Sequence, residues 1–218
     1  MEAPLHGRRH VRAIVGLGAV GLALLVALAL LYSRMSAEAS GPDQGAYRGS
    51  EPPARIVMPD FALQDYEGEQ VTSDSLLGRV VLLTFLDAQC KESCPVIAAQ
   101  IAQTFARMDP ELRSRVTAVA ISTDPDEDTS AAVRDFLRAT RAEGELRYLT
   151  RPAPAIKRVW GKFQILSSLE SGTDSTHSAP VRIYGPDGVW VSSLHAGVDL
   201  TDENLVHDLR VASERGGG

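Results

Sequence analysis

The sequence has no long run of basic residues and no interleaving of basic with aromatic side chains, and its formal net charge is −6. That excludes a nucleic-acid partner as a starting point, because neutralising phosphates needs clustered lysine and arginine. There is no internal repeat, so a solenoid or propeller is excluded as well. Charge is missing altogether between Ala13 and Tyr32. Cysteine is nearly missing: there are 2 in 218 residues, and both lie in Cys90-Lys91-Glu92-Ser93-Cys94-Pro95.

The uncharged stretch, residues 13–32, is apolar throughout and follows Arg8, Arg9 and Arg12. A helix rising about 1.5 Å per residue covers the roughly 30 Å of a bilayer core over such a length. The preceding arginines favour a cytoplasmic N-terminus (residues 1–12) and an extracytoplasmic remainder. A cleaved signal peptide is the rival, since Ala37-Glu38-Ala39 resembles a cleavage site, but the apolar run is longer than a usual signal core. No cysteine lies close after the span, so lipid attachment there is not expected. Gly16-Leu17-Gly18-Ala19-Val20-Gly21 matches a dinucleotide fingerprint by letter only, with no strand before it. Residues 33–54 are polar and rich in turn formers and read as a flexible linker. The folded domain is expected over 55–213, with 214–218 as a glycine tail.

The cysteines follow Arg79–Leu86, a continuous apolar, β-branched run that reads as a buried strand. After them a helical pattern begins with Val96, Ile97, Ile101 and Phe105 on its apolar side. Pro95 suits a first helical turn, where its missing N–H is not needed, so Ser93 or Cys94 is the expected N-cap. A helix start favours a thiolate over a thiol. Thiolates attack disulfides and bind soft metals. A purely structural disulfide is the bland alternative, but closing so small a ring removes only about 2 kcal/mol of chain entropy.

Elsewhere the pattern alternates. A hairpin is expected around Tyr66-Glu67-Gly68-Glu69, then a short helical turn over 73–77 ended by Gly78. Beyond the cysteines, helix runs to about Met108, and Asp109-Pro110 stops it. The apolar run Val116–Ser122 reads as a second strand, parallel to the first because a helix separates them. Asp124-Pro125-Asp126-Glu127-Asp128-Thr129 looks at first like a calcium loop. It lacks glycine at the sixth position, and Asp128 or Thr129 is better read as the cap of a helix over 130–142. A short strand over 147–150, a helix over 154–163, a polar loop over 170–178 holding His177, a hairpin over 181–194 and a last helix over 202–212 complete the chain. This order resembles that of an α/β, thioredoxin-like fold: a central mixed sheet flanked by helices, preceded here by the apolar span.

Several motifs together resemble the Sco/SenC family: Phe61-x-Leu63, Gly78-Arg79-Val80, Phe85 with Cys90-x-x-x-Cys94-Pro95, Ser122-Thr123-Asp124-Pro125-x-x-Asp128-Thr129, and His177 ahead of Gly185-Pro186-Asp187-Gly188. The resemblance spans about Pro59 to Ala212. It implies a membrane-anchored copper protein of cytochrome c oxidase assembly, with Cys90, Cys94 and His177 as the copper ligands and oxidase subunit II among the partners. Two thiolates and an imidazole form a soft set suited to Cu(I) and able to hold Cu(II), whereas a structural zinc site normally takes four ligands. His195 and His207 are the competing histidines and read as surface residues. Lys91 stands where many family members carry proline, and a cation there should lower the thiol pKa values.

Two functions are therefore expected to compete. One is a copper metallochaperone on the outer side of the cell membrane, handing copper to the binuclear centre of the oxidase. The other is a tethered thiol–disulfide oxidoreductase that keeps the oxidase's copper-site cysteines reduced, for which His177 would be dispensable. Peroxide reduction is disfavoured, because Leu83 and Asp87 stand where proline and threonine would precede a peroxidatic cysteine. A binding module without chemistry leaves the cysteine placement unexplained.

Overall fold

The computed structural model describes residues 46–165 and 180–215, together with Val26 and Leu28. The chain divides into two units, Met1–Gly45 and Ala46–Gly218. In the first, Val26 and Leu28 are helical and exposed. Among the described residues no helix is long and apolar enough to cross a membrane; the expected span over 13–32 otherwise lies outside them.

The second unit is built on one seven-stranded sheet in the order β2-β1-β5-β4-β3-β6-β7. The strands are β1 (Ala62–Asp65), β2 (Gln70–Thr72), β3 (Val80–Leu86), β4 (Val116–Ser122), β5 (Leu146–Arg151), β6 (Val181–Tyr184) and β7 (Trp190–Leu194). β3 pairs in parallel with β4 from Val80↔Val116 to Leu86↔Ser122, and β4 in parallel with β5. β1 runs antiparallel to β5, and β6 antiparallel to β3. All seven residues of β3 are buried, because helices cover both its faces.

The helices are α1 (Ser73–Leu76), α2 (Ser93–Arg107), α3 (Pro110–Arg115), α4 (Ser130–Ala139), α5 (Ala153–Phe163) and α6 (Asp202–Arg215). Alternation along the strands sorts the core into two layers. Val80, Leu82 and Leu86 pack with Ile97, Ile101 and Phe105 of α2, Val133 and Leu137 of α4, and Leu205 and Leu209 of α6. Val81, Leu83 and Phe85 pack with Ile156, Val159, Trp160 and Phe163 of α5. The mixed sheet and its two helical layers agree with the thioredoxin-like expectation. Val96, placed by the sequence pattern on the apolar side of α2, instead points outward and is 57% exposed; Ile97 and Ala98 take the inward position.

Two other local readings change. The N-cap of α2 is Glu92, so Ser93 and Cys94 are already helical and Pro95 still falls within the first turn. Residues 46–54, read from the sequence as the end of the linker, are docked on the domain; the rest of that stretch lies outside the described residues. Tyr47 is buried, and Ser50 exchanges two backbone hydrogen bonds of 2.9 Å with Ser193. An added Cβ at Gly49 would collide with Ser192 Oγ and the Ser193 carbonyl, so only glycine permits this approach. A polar, turn-rich composition signals a linker, but long-range partners such as these leave no mark in the local pattern.

Candidate metal and thiol site

β3 ends at Leu86, and the chain turns through Asp87 to Glu92 before α2 begins. Asp87 organises this turn: its Oδ1 accepts the Gln89 N–H at 2.6 Å and its carbonyl accepts the Cys90 N–H at 3.3 Å. Cys90 leaves the turn half-buried, while Cys94 sits on the inner side of α2 and is buried; both are free thiols. Each thiol influences the ionisation of the other, so the two sulfurs are close neighbours. The structure therefore brings the pair together at the C-terminal end of the central strand.

The two sulfurs differ sharply. Burial opposes ionisation of Cys90, but the N–H groups of Cys94 and Glu92, the Cys94 thiol and the Ser93 hydroxyl all donate to its sulfur and hold its pKa below the ordinary thiol value. Burial dominates at Cys94 and pushes its thiol up to about 12, even though the Asp87 N–H points at the sulfur from 3.5 Å. The expected thiolate at the helix start is thus Cys90, reaching back to the helix N–H groups from the loop. The residue within the helix is the protonated one. The lowering at Cys90 comes from these helix-start donors rather than from Lys91, whose side chain is exposed. Ser93, read from sequence as a cap, serves as a sulfur donor.

His177, the third expected ligand, lies outside the described residues. Among the described residues no group of three or more histidine, cysteine, aspartate or glutamate side chains could hold a metal ion. His195 follows β7 and is half-buried, with Nδ1 3.9 Å from Asp199 Oδ1. His207 lies on α6, 3.0 Å from Asp208. Neither is brought into a set of ligands with the cysteines.

Of the two capping candidates read from the sequence, Asp128 and Thr129, the structure selects Thr129. Thr129 caps α4, accepting the Ala132 N–H at 3.2 Å. Asp128 instead turns inward, is 1% exposed, and accepts the Ala88 N–H from the cysteine loop at 2.9 Å. The signal was present: Thr129 can cap by itself, which leaves the neighbouring aspartate free for another task.

The model of the SCO1/SenC family matches residues 49–212. The chain belongs to the SCO1/SenC family. A curated relative from Stutzerimonas stutzeri is 26% identical over 153 residues, covering 68% of this chain and 74% of its own length. Among solved structures, BsSco, described as a member of the Sco family of cytochrome c oxidase assembly proteins with a disulfide switch, has a TM-score of 0.62. It is 21% identical and covers 76% of this chain and 98% of that one. Bradyrhizobium japonicum ScoI, solved with copper bound, has a TM-score of 0.59 at 24% identity, covering 72% and 100% of the two chains. At these identities the likeness establishes the fold, which is the Sco version of the thioredoxin-like architecture.

The donor set suits a soft metal ion. A thiolate-forming Cys90 and a buried Cys94 in mutual contact offer two sulfurs on one side, and soft sulfur ligands select Cu(I).

Proposed function

We propose that this SCO1/SenC protein is a copper metallochaperone. Cys90, Cys94 and His177 bind one copper ion as cargo and pass it by ligand exchange to the binuclear copper centre of cytochrome c oxidase, in subunit II. Residues 13–32 anchor the chain in the cell membrane and a linker follows, so that the domain works on the extracytoplasmic side. The observation that carries this reading is the sulfur pair itself: two free thiols in contact, one half-exposed, at the end of a rigid central strand.

The topology supports the third ligand. β6 runs antiparallel to β3, so the chain enters β6 from the sheet end at which β3 delivers the cysteines. His177 precedes Pro180 by three residues, which at about 3.5 Å each limits its α-carbon to roughly 11 Å from that entry. Copper transfer then needs a partner offering its own thiolates, each replacing one ligand at a time so that the ion is never released to water.

The test is copper stoichiometry in the reduced full-length chain, read with the sulfur-to-copper charge-transfer bands of the Cu(II) form. About one equivalent and intense bands are expected for the unmodified protein, and loss of both for Cys94→Ser. A His177→Ala chain that retains full stoichiometry and unchanged bands would remove that residue from the site.

The asymmetry of the thiols favours one further reading, a thiol–disulfide oxidoreductase. The Cys90 thiolate would attack a partner disulfide, releasing one partner thiolate and forming a mixed disulfide. Cys94, losing its proton, would then attack the Cys90 sulfur, release the second partner thiol and close the Cys90–Cys94 disulfide. The partner gains two electrons and the dithiol loses two. Undiminished reductase turnover in His177→Ala, with copper delivery lost, would separate the two activities.

A further inference from the structure

Asp128 is a buried carboxyl group that neither reading uses. Its Oδ1 accepts the Ala88 N–H at 2.9 Å. Its Oδ2 accepts the Ser122 hydroxyl at 2.6 Å and the Tyr148 phenol at 2.9 Å. Ser122 ends β4 and Tyr148 lies within β5, whereas Ala88 belongs to the turn that carries Cys90. A single side chain thus joins that turn to the next two strands of the sheet. A buried carboxylate is costly unless it is hydrogen-bonded, and here three donors converge on it.

The capping role is already filled by Thr129, so these contacts serve something other than the start of α4. The other hydrogen bonds of the turn are Gln89 N–H and Cys90 N–H to Asp87, which are internal to it, and Asp87 N–H to the Cys94 sulfur, which reaches α2; none of these fixes its place against the sheet. Cys94 needs no such help, being held by α2 and the core. Cys90 stands in neither helix nor strand.

We propose that Asp128 is a positioning residue for the dithiol: through the Ala88 N–H it fixes where Cys90 leaves β3, and so sets the spacing of the two sulfurs. Ser122 and Tyr148 orient the carboxylate for this task. The consequence for copper rests on the metallochaperone reading, but the effect on the dithiol does not.

The experiment uses the full-length chain in detergent, as wild type, Asp128→Ala, Asp128→Asn and Tyr148→Phe. Three quantities are measured: Cu(I) affinity by competition with a chromogenic chelator, the midpoint potential of the Cys90/Cys94 couple, and the melting temperature. Asp128→Ala is expected to lose about tenfold or more in Cu(I) affinity, the usual cost of removing an outer-shell partner, and to shift the potential. Asp128→Asn, whose amide oxygen can still accept from Ala88 while its NH2 donates to the two hydroxyls, should stay within about threefold of wild type. An Asp128→Ala chain that melts lower yet keeps wild-type affinity and potential would show a strut with no hold on the thiols and overturn the proposal. If Asp128→Ala does not fold, Tyr148→Phe decides: a loss of about threefold with a shifted potential supports the proposal, and unchanged values overturn it. If the wild type takes up no copper, the metallochaperone reading fails and the potentials alone judge Asp128.

Discussion

The cysteine turn and the N-terminal strap are both irregular segments held by a buried aspartate through backbone N–H groups, yet they are held to different degrees. The strap is fastened many times. Asp208 is fully buried and accepts the Arg48 N–H at 2.7 Å, the Gly49 N–H at 3.0 Å and the Ser192 hydroxyl at 2.6 Å. Tyr47 is buried beside it, and Ser50 pairs with Ser193. The cysteine turn has one side-chain tie to the sheet, Ala88 to Asp128, and it leaves Cys90 half-exposed. A segment that only has to stay docked can be pinned at every group. Under the proposed function the cysteine turn has to admit a metal ion or a partner's sulfur, and it keeps one sulfur accessible and is positioned by few contacts.

The comparison can be broken in three places. The largest effect concerns the sulfurs. Cys90 is half-exposed with a lowered pKa, and Cys94 is buried with its thiol pushed up to about 12. Alkylation of the reduced chain near neutral pH should therefore modify Cys90 about a thousandfold faster than Cys94. Comparable rates, followed by mass spectrometry of the peptides, would mean that the turn opens as freely as it closes and is not positioned at all.

Next comes the strap. Asp208→Ala leaves two backbone N–H groups without their acceptor and should cost about 4 kcal/mol of stability in denaturant titration. Copper stoichiometry and Cys90 reactivity should be untouched, because the strap and the turn share no partner among the described residues. A change in Cys90 reactivity would show that the two fastenings are coupled.

The smallest effect is a pH dependence. Burial raises Asp128 from 3.8 to about 6, against the lowering influence of its three hydrogen bonds. Between those values the native chain binds more protons than the unfolded one, so this group makes stability fall as pH rises through that window. The full span amounts to about 3 kcal/mol. Asp128→Asn should flatten that part of the stability–pH curve, measured by denaturant titration at several pH values across the window.

Much of the fold could be read in advance because its signals are local. The apolar runs at Val80–Leu86 and Val116–Ser122 are long enough to specify buried strands, and the helix between them dictates their parallel pairing. The hairpin around Gly68 and the helix stop at Asp109-Pro110 carry their own turn chemistry. Local signals left the choice open where two readings were equally good. Asp128 and Thr129 are both competent caps, and only the inward path of the chain assigns one to the helix and the other to the Ala88 N–H.

Sequence alone determined that two thiols stand at the junction of a buried strand and a helix, because residue order places them there whatever the rest of the chain does. It also carried the motifs of the SCO1/SenC family. Tertiary structure decided which sulfur ionises, since that depends on burial and on N–H groups arriving from the next turn of chain. It decided as well that residues 46–54 close against Ser192, Ser193 and Asp208, partners more than a hundred positions away that no local pattern can announce.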